Sequence, residues 1–448
     1  MTEKQRVQRI LLGHLSARGD CLYATAIARQ IKVDYPGCFL TWGISSMCRD
    51  VLKGNPDVDE IWEFSMQNHG EMTPAWQAFE EEVANRYRNG DFDEVFLTQI
   101  SPNNFHNFDG TVRLSIFRAY PRPITVPITP VMNLLPQEVE KVKEFATIHR
   151  LTDRKYVILF ECSSNSGQSF VTPDYALEIA KNLLLKLPDT IIILASAIPV
   201  NSGDERIISS SNLSFRDHAE LSKYCSLLVG CSSGISWLCT SDWAKPLPTI
   251  QLLAASTSVY ASMIHDFEYW GQSTEQVIEM TDCAVDQLVD CIYLALTQGI
   301  TVARPQYHQK IPLEFTFYLS LIRSLLLEKA EYEKVFLTML NTTKRYGWQT
   351  QLEEFMLTEV LPNLQESVRL SWLQKKDAQS LQESCSQLQN QLYEQDKLVQ
   401  KQELEIQQWQ ESLEQAHQRI VAIESSKFWR LRTSWFKIKR MIGLKIEE

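Results

Sequence analysis

The sequence lacks any run approaching the ~20 apolar residues that cross a bilayer. Its first apolar segment, residues 10–12, is too short for a signal peptide. The chain is therefore expected to be cytoplasmic. It also lacks a CxxC pair: ten cysteines are scattered along it, and Cys225, Cys231, Cys239, Cys283 and Cys291 sit among apolar neighbours. Buried free thiols in a reducing compartment suit this pattern better than a zinc site or a disulfide framework. An excess of positive charge is missing too, with 44 Lys and Arg against 55 Asp and Glu and a net charge of −11. No phosphate backbone is attracted to such a surface, which excludes a general nucleic-acid binder. The average hides a local reversal, because residues 427–448 hold seven Lys or Arg against two Glu.

At 448 residues there is room for two or three domains. Near the start, residues 9–12 predict a short strand and residues 13–19 a loop. Residues 20–33 predict a helix, residues 38–43 a strand, 46–53 a helix, 58–64 a strand, 75–87 a helix and 92–97 a strand. Strands alternating with helices imply an α/β fold with a parallel, doubly wound sheet, whose ligands bind beyond the carboxyl ends of the strands. The loop 13–19 lies at such an end. Asp20 fits the N-cap of the following helix, worth on the order of 1 kcal/mol. A carboxylate there also faces a cleft and could serve as a general base. His14 is open to two readings, a ligand contact or a loop residue.

Residues 121–136 contain five prolines, which suits an extended linker. A second α/β pattern follows: helix 137–149, strand 156–160, helix 174–186, strand 190–195, helix 217–224 and strand 227–230. Two loops there hold small polar residues, 163–169 (including Ser163, Ser164 and Gln168) and 231–236 (Ser232, Ser233, Gly234 and Ser236). Their backbone N–H groups could approach a diphosphate, although such clusters are also ordinary turns. His265-Asp266-Phe267-Glu268-Tyr269-Trp270 reads as a loop whose aromatics either stack on a sugar ring or pack together. Residues 282–296 predict the helix that closes this domain.

Several of these residues resemble a known family. Gly19-Asp20-Cys21-Leu22-Tyr23-Ala24-Thr25-Ala26-Ile27-Ala28, then Tyr35-Pro36-Gly37 and Asn55-Pro56-Asp57-Val58-Asp59-Glu60-Ile61, resemble the start of the lipopolysaccharide heptosyltransferases, glycosyltransferase family nine. The resemblance covers residues 9–300. It implies a GT-B fold of two Rossmann-like domains, inversion at the anomeric carbon, no metal and no cofactor, and Asp20 as catalytic base. Thr25 matches the Thr of the family motif, whereas Ala26 replaces a common Pro. Where the family has Asp-Thr-Gly-x-Ser-His, this chain has Ser232-Ser233-Gly234-Ile235-Ser236-Trp237, keeping only Gly234 and Ser236. Gln168 or Ser169 stands where a Lys usually meets the phosphate. That loss removes a charge-assisted hydrogen bond typically worth about 1.5–3 kcal/mol, and Arg18 and Lys245 are candidates to replace it.

The domains expected are 1–135 for the acceptor, 136–305 for the nucleotide sugar, 306–375 as a helical extension, 376–425 as a coiled coil and 426–448 as a basic tail. In the extension, Phe317, Leu321 and Leu325 mark an apolar stripe packing on the second domain. The coiled coil places Ala378, Cys385, Leu392, Val399, Ile406, Leu413 and Ile420 at a. Leu381, Leu388, Gln395, Gln402, Trp409, Ala416 and Ile423 fall at d, predicting a homodimer. In the tail, cations interleave with Phe428, Trp429, Trp435 and Phe436. This pattern suits a helix lying on an anionic membrane surface, against the alternative of a solvated basic end. It also resembles the ends of some bacterial surface-polysaccharide glycosyltransferases. The function expected is transfer of a sugar from a nucleotide-sugar donor to a surface-glycan or lipid-linked acceptor. The rivals are an inactive scaffold of the same fold and a nucleotide-sugar epimerase.

Overall fold

The computed structural model of the chain describes residues 6–66, 68–101, 104–162, 167–257, 261–311, 313–364, 419, 421 and 427–441. Met1–Leu364 forms one compact unit and Gln365–Glu448 another. The coiled-coil expectation falls almost wholly outside the described residues.

The first sheet contains β1 (Arg9–Gly13), β2 (Phe39–Ser45), β3 (Glu60–Phe64) and β4 (Glu94–Leu97), in the order β3-β2-β1-β4. All its pairings are parallel. Helix α1 (Arg18–Asp34) follows β1, and α2 (Met72–Arg88) precedes β4. Gly13 and Gly43 are register partners, and a Cβ on either would run into the Phe79 ring of α2. Two adjacent glycines thus clear the space in which Phe79 settles among Leu11, Leu15, Trp76, Val83 and Phe92. Residues 46–53 do not form the expected α-helix; only a 3-10 turn, Arg49–Leu52, is present. A helix that the sequence reading left out, α3 (Val112–Arg118), follows β4.

The second sheet contains β5 (Tyr156–Glu161), β6 (Thr190–Ala195), β7 (Ile207–Ser209), β8 (Leu227–Gly230), β9 (Thr249–Leu253) and β10 (Val277–Thr281). Its order is β10-β9-β8-β5-β6-β7, again parallel throughout. Strands buried on both faces read as continuous apolar runs. In β5, Ile158 and Phe160 join a core against α5 (Pro173–Lys186) and the helix Val285–Thr297. Val157 and Leu159 join the opposite core, beneath α4 (Pro136–Ile148) and α6 (Asp217–Leu221). Strands β7, β9 and β10 carry Ser, Thr, Gln and Glu among their apolar residues, and the sequence reading missed them. Helix α7 (Gly234–Leu238) follows β8.

Two further expectations change. Residues 265–270 lie not in a loop but mostly in the helix Met263–Tyr269, which Ser262 caps by accepting from His265 N. The extension buries Phe315, Tyr318, Leu319 and Ile322 instead of Phe317, Leu321 and Leu325, so its apolar stripe is displaced by roughly one helical step. It also packs on the first domain as well as the second. Nine cysteines among the described residues are buried and free, as expected. Among the described residues no helix is long and apolar enough to cross a membrane.

In the second unit, Lys427–Met441 is helical. Leu431, Trp435, Ile438 and Met441 are exposed. The Lys439 ammonium lies 4.0 Å from the Trp435 ring centre.

Candidate functional site

At the carboxyl end of β1 the chain turns into α1, and a buried amide beyond β4 shapes that turn. Gln99 Oε1 accepts Leu15 N and Ser16 N, both at 2.9 Å, and its Nε2 donates to Ser16 O. Asn104 braces it from behind, donating to Leu97 O at 2.8 Å and Gln99 O at 3.0 Å. The sequence held no signal for Gln99, whose partners lie 83 and 84 residues away. His14 is fully buried, with Nδ1 3.0 Å from Thr98 Oγ1. Burial pushes its imidazole down to about 3, so it is neutral at physiological pH and lies inside the core.

Helix α1 begins two residues earlier than expected. Ala17 occupies the N-cap, so Asp20 is not the cap but the third helical residue. Among the described residues no hydrogen bond or ion pair holds its carboxylate. Although part of Asp20 stays open to solvent, the dense surroundings push its carboxyl up to about 7, and Cys48 adds to the rise. Cys48 is itself pushed down to about 7 by the Cys21 thiol that hydrogen-bonds to it, with help from Ser45, Arg18 and Ser16. Burial and this same contact raise Cys21 well above its ordinary value. Arg18 is exposed and reaches Asp50 at 3.5 Å. Thr25 faces the proline-rich connector: its hydroxyl donates to Leu22 O at 2.5 Å and accepts Val131 N at 2.8 Å.

In the second domain, Glu161 at the end of β5 is the organising residue, and the sequence reading passed over it. Its buried carboxylate accepts Cys231 N and Ile235 N, each at 3.0 Å, and Ser236 Oγ at 2.5 Å. Burial raises its pKa, and these donors partly offset the rise. Ser232 sits in the left-handed region with φ of 50°. Its N–H donates to Gln251 Oε1 at 2.7 Å and its hydroxyl to Ala261 O. The hydroxyls of Ser232 and Ser236 are therefore engaged inside the protein, while Ser233 and Gly234 are half-buried at the loop surface. Gly230 keeps the loop tight, since a Cβ there would lie 2.7 Å from Gln251 Nε2. Gln168 is half-buried, and its carbonyl accepts Ala254 N at 2.9 Å. This bond joins the loops after β5 and β9. Ser163 and Ser164 lie outside the described residues.

The two domains meet where α1 passes α7. The Tyr23 and Trp237 rings make an edge contact at 5.2 Å, and Phe267 lies 6.3 Å from Trp237. Buried Arg113 of α3 sits 5.5 Å from the Tyr23 ring and 5.9 Å from that of Trp237, and pairs with Asp266. Asp20 lies one helical turn before Tyr23 on α1, beside Cys48 of the first domain. Arg216 fixes another edge by donating to Glu138, Asp50 O and Asn133 O. Lys245 is not at the seam. Its Nζ donates to Cys225 O at 2.9 Å, at the amino ends of the strands.

With this geometry established, the chain can be set beside known proteins. No protein-family model matches it, and no curated protein matches it. Solved structures do resemble it. One is a glycosyltransferase of family 9 from Veillonella parvula, 13% identical with a TM-score of 0.45, covering 72% of this chain and 97% of that one. Another is the ADP-heptose lipopolysaccharide heptosyltransferase II of E. coli, at 14% identity and TM-score 0.44, covering 65% and 99%. A putative UDP-N-acetylglucosamine 2-epimerase from Listeria monocytogenes shows 13% identity and TM-score 0.44, covering 71% and 96%.

Proposed function

We propose that the chain is an inverting glycosyltransferase, moving a sugar from a nucleotide-sugar donor to a surface-glycan or lipid-linked acceptor without a metal. One observation carries the reading. Asp20, whose carboxylate is unpaired among the described residues, is pushed up to about 7 on the helix that follows β1, at the carboxyl ends where such parallel sheets bind ligands.

In this mechanism the donor diphosphate lies against the second-domain loops, near Ser163, Ser164, Gln168, Ser233 and Gly234. The engaged hydroxyls of Ser232 and Ser236 hold the loop in shape, and Arg18 supplies positive charge from the opposite side. The acceptor hydroxyl gives its proton to Asp20 as its oxygen attacks the anomeric carbon. The bond from that carbon to the diphosphate oxygen breaks, the nucleotide diphosphate leaves, and the configuration inverts. The basic C-terminal helix would bring the enzyme to an anionic membrane surface bearing the acceptor, and the heptads of residues 378–423 would pair two copies.

The test combines two measurements on the full chain: thermal shift against a panel of nucleotide sugars, because a bound ligand raises the melting temperature, and turnover of the responding donor. Binding of a donor, with turnover abolished in Asp20→Asn, supports the reading. A binding-only scaffold is favoured by Trp237, Tyr23 and Arg113 filling the seam. It predicts nucleotide binding with no transfer, hydrolysis or epimerisation.

A further inference from the structure

Several side chains join the two α/β domains. Arg29 of α1 pairs with Asp242 at 2.8 Å, and buried Arg216 donates to Asp50 O at 3.0 Å. Phe117 of α3 meets Trp270 in an edge contact at 5.6 Å. The extension beyond residue 312 adds bridges of its own: Asn341 donates to His106 O at 3.3 Å, and Arg345 donates to His265 O.

Arg113 differs from these in what it connects. It stands on α3 of the first domain, and its side chain is 2% exposed. Its guanidinium pairs with Asp266 and donates through Nη2 to Gln272 Oε1 at 3.2 Å, both in the second domain. Asp109, four residues earlier, is taken by Arg118 at 2.6 Å and does not compete. The same guanidinium lies 5.5 Å from the Tyr23 ring centre and 5.9 Å from that of Trp237. Tyr23 belongs to α1 and Trp237 to α7, so one cation touches a helix of each domain. A planar guanidinium stacks on rings while its edge bonds a carboxylate, a combination that an ammonium does not reproduce.

Asp20 and Tyr23 are three residues apart and therefore share one face of α1. The face that meets Trp237 is thus the face that carries Asp20. A domain shift that stretched the Arg113–Asp266 pair without admitting water would leave two buried charges unpaired, the costly case for such pairs. We propose that Arg113 is a positioning residue: anchored to Asp266 and Gln272, it sets α1 against α7 and so fixes how Asp20 is presented to the donor domain. The role of Asp20 rests on the glycosyltransferase reading, whereas the joint itself does not.

The experiment uses the full chain carrying Arg113→Met, Arg113→Lys, Asp266→Asn, or Arg113→Met with Asp266→Asn. The donor is whichever of a panel of ADP- and UDP-linked sugars shifts the melting temperature of the natural chain. Arg113→Met should lower kcat about 10–100-fold while the KM and thermal shift of that donor hold. Arg113→Lys keeps the charge opposite Asp266, so it remains folded even where Arg113→Met does not, and should show the same split at smaller size. The double variant should be no slower than the slower single one, because groups acting as a unit are not additive. Hydrogen exchange read by mass spectrometry should quicken in residues 20–26 and 234–238 of Arg113→Met, on both sides of the joint. Faster exchange confined to α3, an unchanged kcat, equal losses in kcat and donor affinity, or summed losses in the double variant would each overturn the positioning role. A natural chain that turns over no nucleotide sugar would instead sink the glycosyltransferase reading, and the exchange result alone would then decide the joint.

Discussion

At the residue scale the proposed transfer turns on Asp20, whose surroundings move its carboxyl towards neutrality. Asp20 at about 7 is largely ionised only above that pH, so transfer should show an acidic limb near 7. Asp20→Asn should lower kcat by about 10²–10⁴-fold, read from initial rates at saturating donor. Stability moves in the opposite sense. A carboxyl whose folded pKa is raised stabilises the fold below its unfolded value of 3.8, and that contribution fades as pH rises towards 7. Asp20→Asn should therefore melt higher than the natural chain at pH 8 but not at pH 4. The gain should be on the order of 1 kcal/mol after discounting for partial solvent screening. Cys48 provides a second handle, because its charge raises Asp20. Cys48→Ser should move the acidic limb of the rate profile to lower pH. An unchanged limb would separate the two groups.

Among the elements, the loop after β8 depends on one buried carboxylate. Glu161→Ala would strand Cys231 N, Ile235 N and Ser236 Oγ, and should cost roughly 3 kcal/mol in a denaturant melt. Glu161→Gln should cost less, since its amide oxygen still accepts. In the first sheet, Gly43→Ala would drive a methyl into Phe79 and should cost about 1–3 kcal/mol by overpacking. The basic helix Lys427–Met441 sets Leu431, Trp435 and Ile438 at spacings of four and three, and holds six cations and no acid along its length. The full chain should sediment with vesicles containing phosphatidylglycerol and not with phosphatidylcholine alone, and binding should fall as salt screens the attraction. Leu431→Glu with Trp435→Glu should abolish it.

For the whole molecule, the extension ties the two sheets together, whereas Gln365–Glu448 forms its own unit. A chain ending at Leu364 should keep nucleotide affinity and melting temperature while losing vesicle binding and self-association, measurable by sedimentation velocity. How much of this was legible beforehand follows from range. Strands β6 and β8 were readable to the residue, because unbroken apolar runs between turn residues have one local meaning. Strands β9 and β10 were not, because Gln251 and Glu279 interrupt the pattern with polar groups whose partners come from elsewhere in the fold, and β7 is only three residues long. Asp20 was legible as a position but not as an environment: its helix dipole is local, while its displaced pKa comes from burial and from Cys48. Gln99, Glu161 and Arg345 act through partners more than 65 residues away, a separation no spacing rule reports.

By itself the sequence determined the alternation of strand and helix, the linker between the domains, the free buried thiols and the basic helical end. Each of these depends on hydrophobic period, on backbone restriction or on charge within a few residues. Tertiary structure alone decided which polar groups meet: that Glu161 accepts Cys231 N, Ile235 N and Ser236 Oγ, that Lys245 lies at the amino ends of the strands, and that the extension touches both domains. The physical reason is that hydrogen bonds and desolvation act only at contact distance, and folding brings distant segments to that distance.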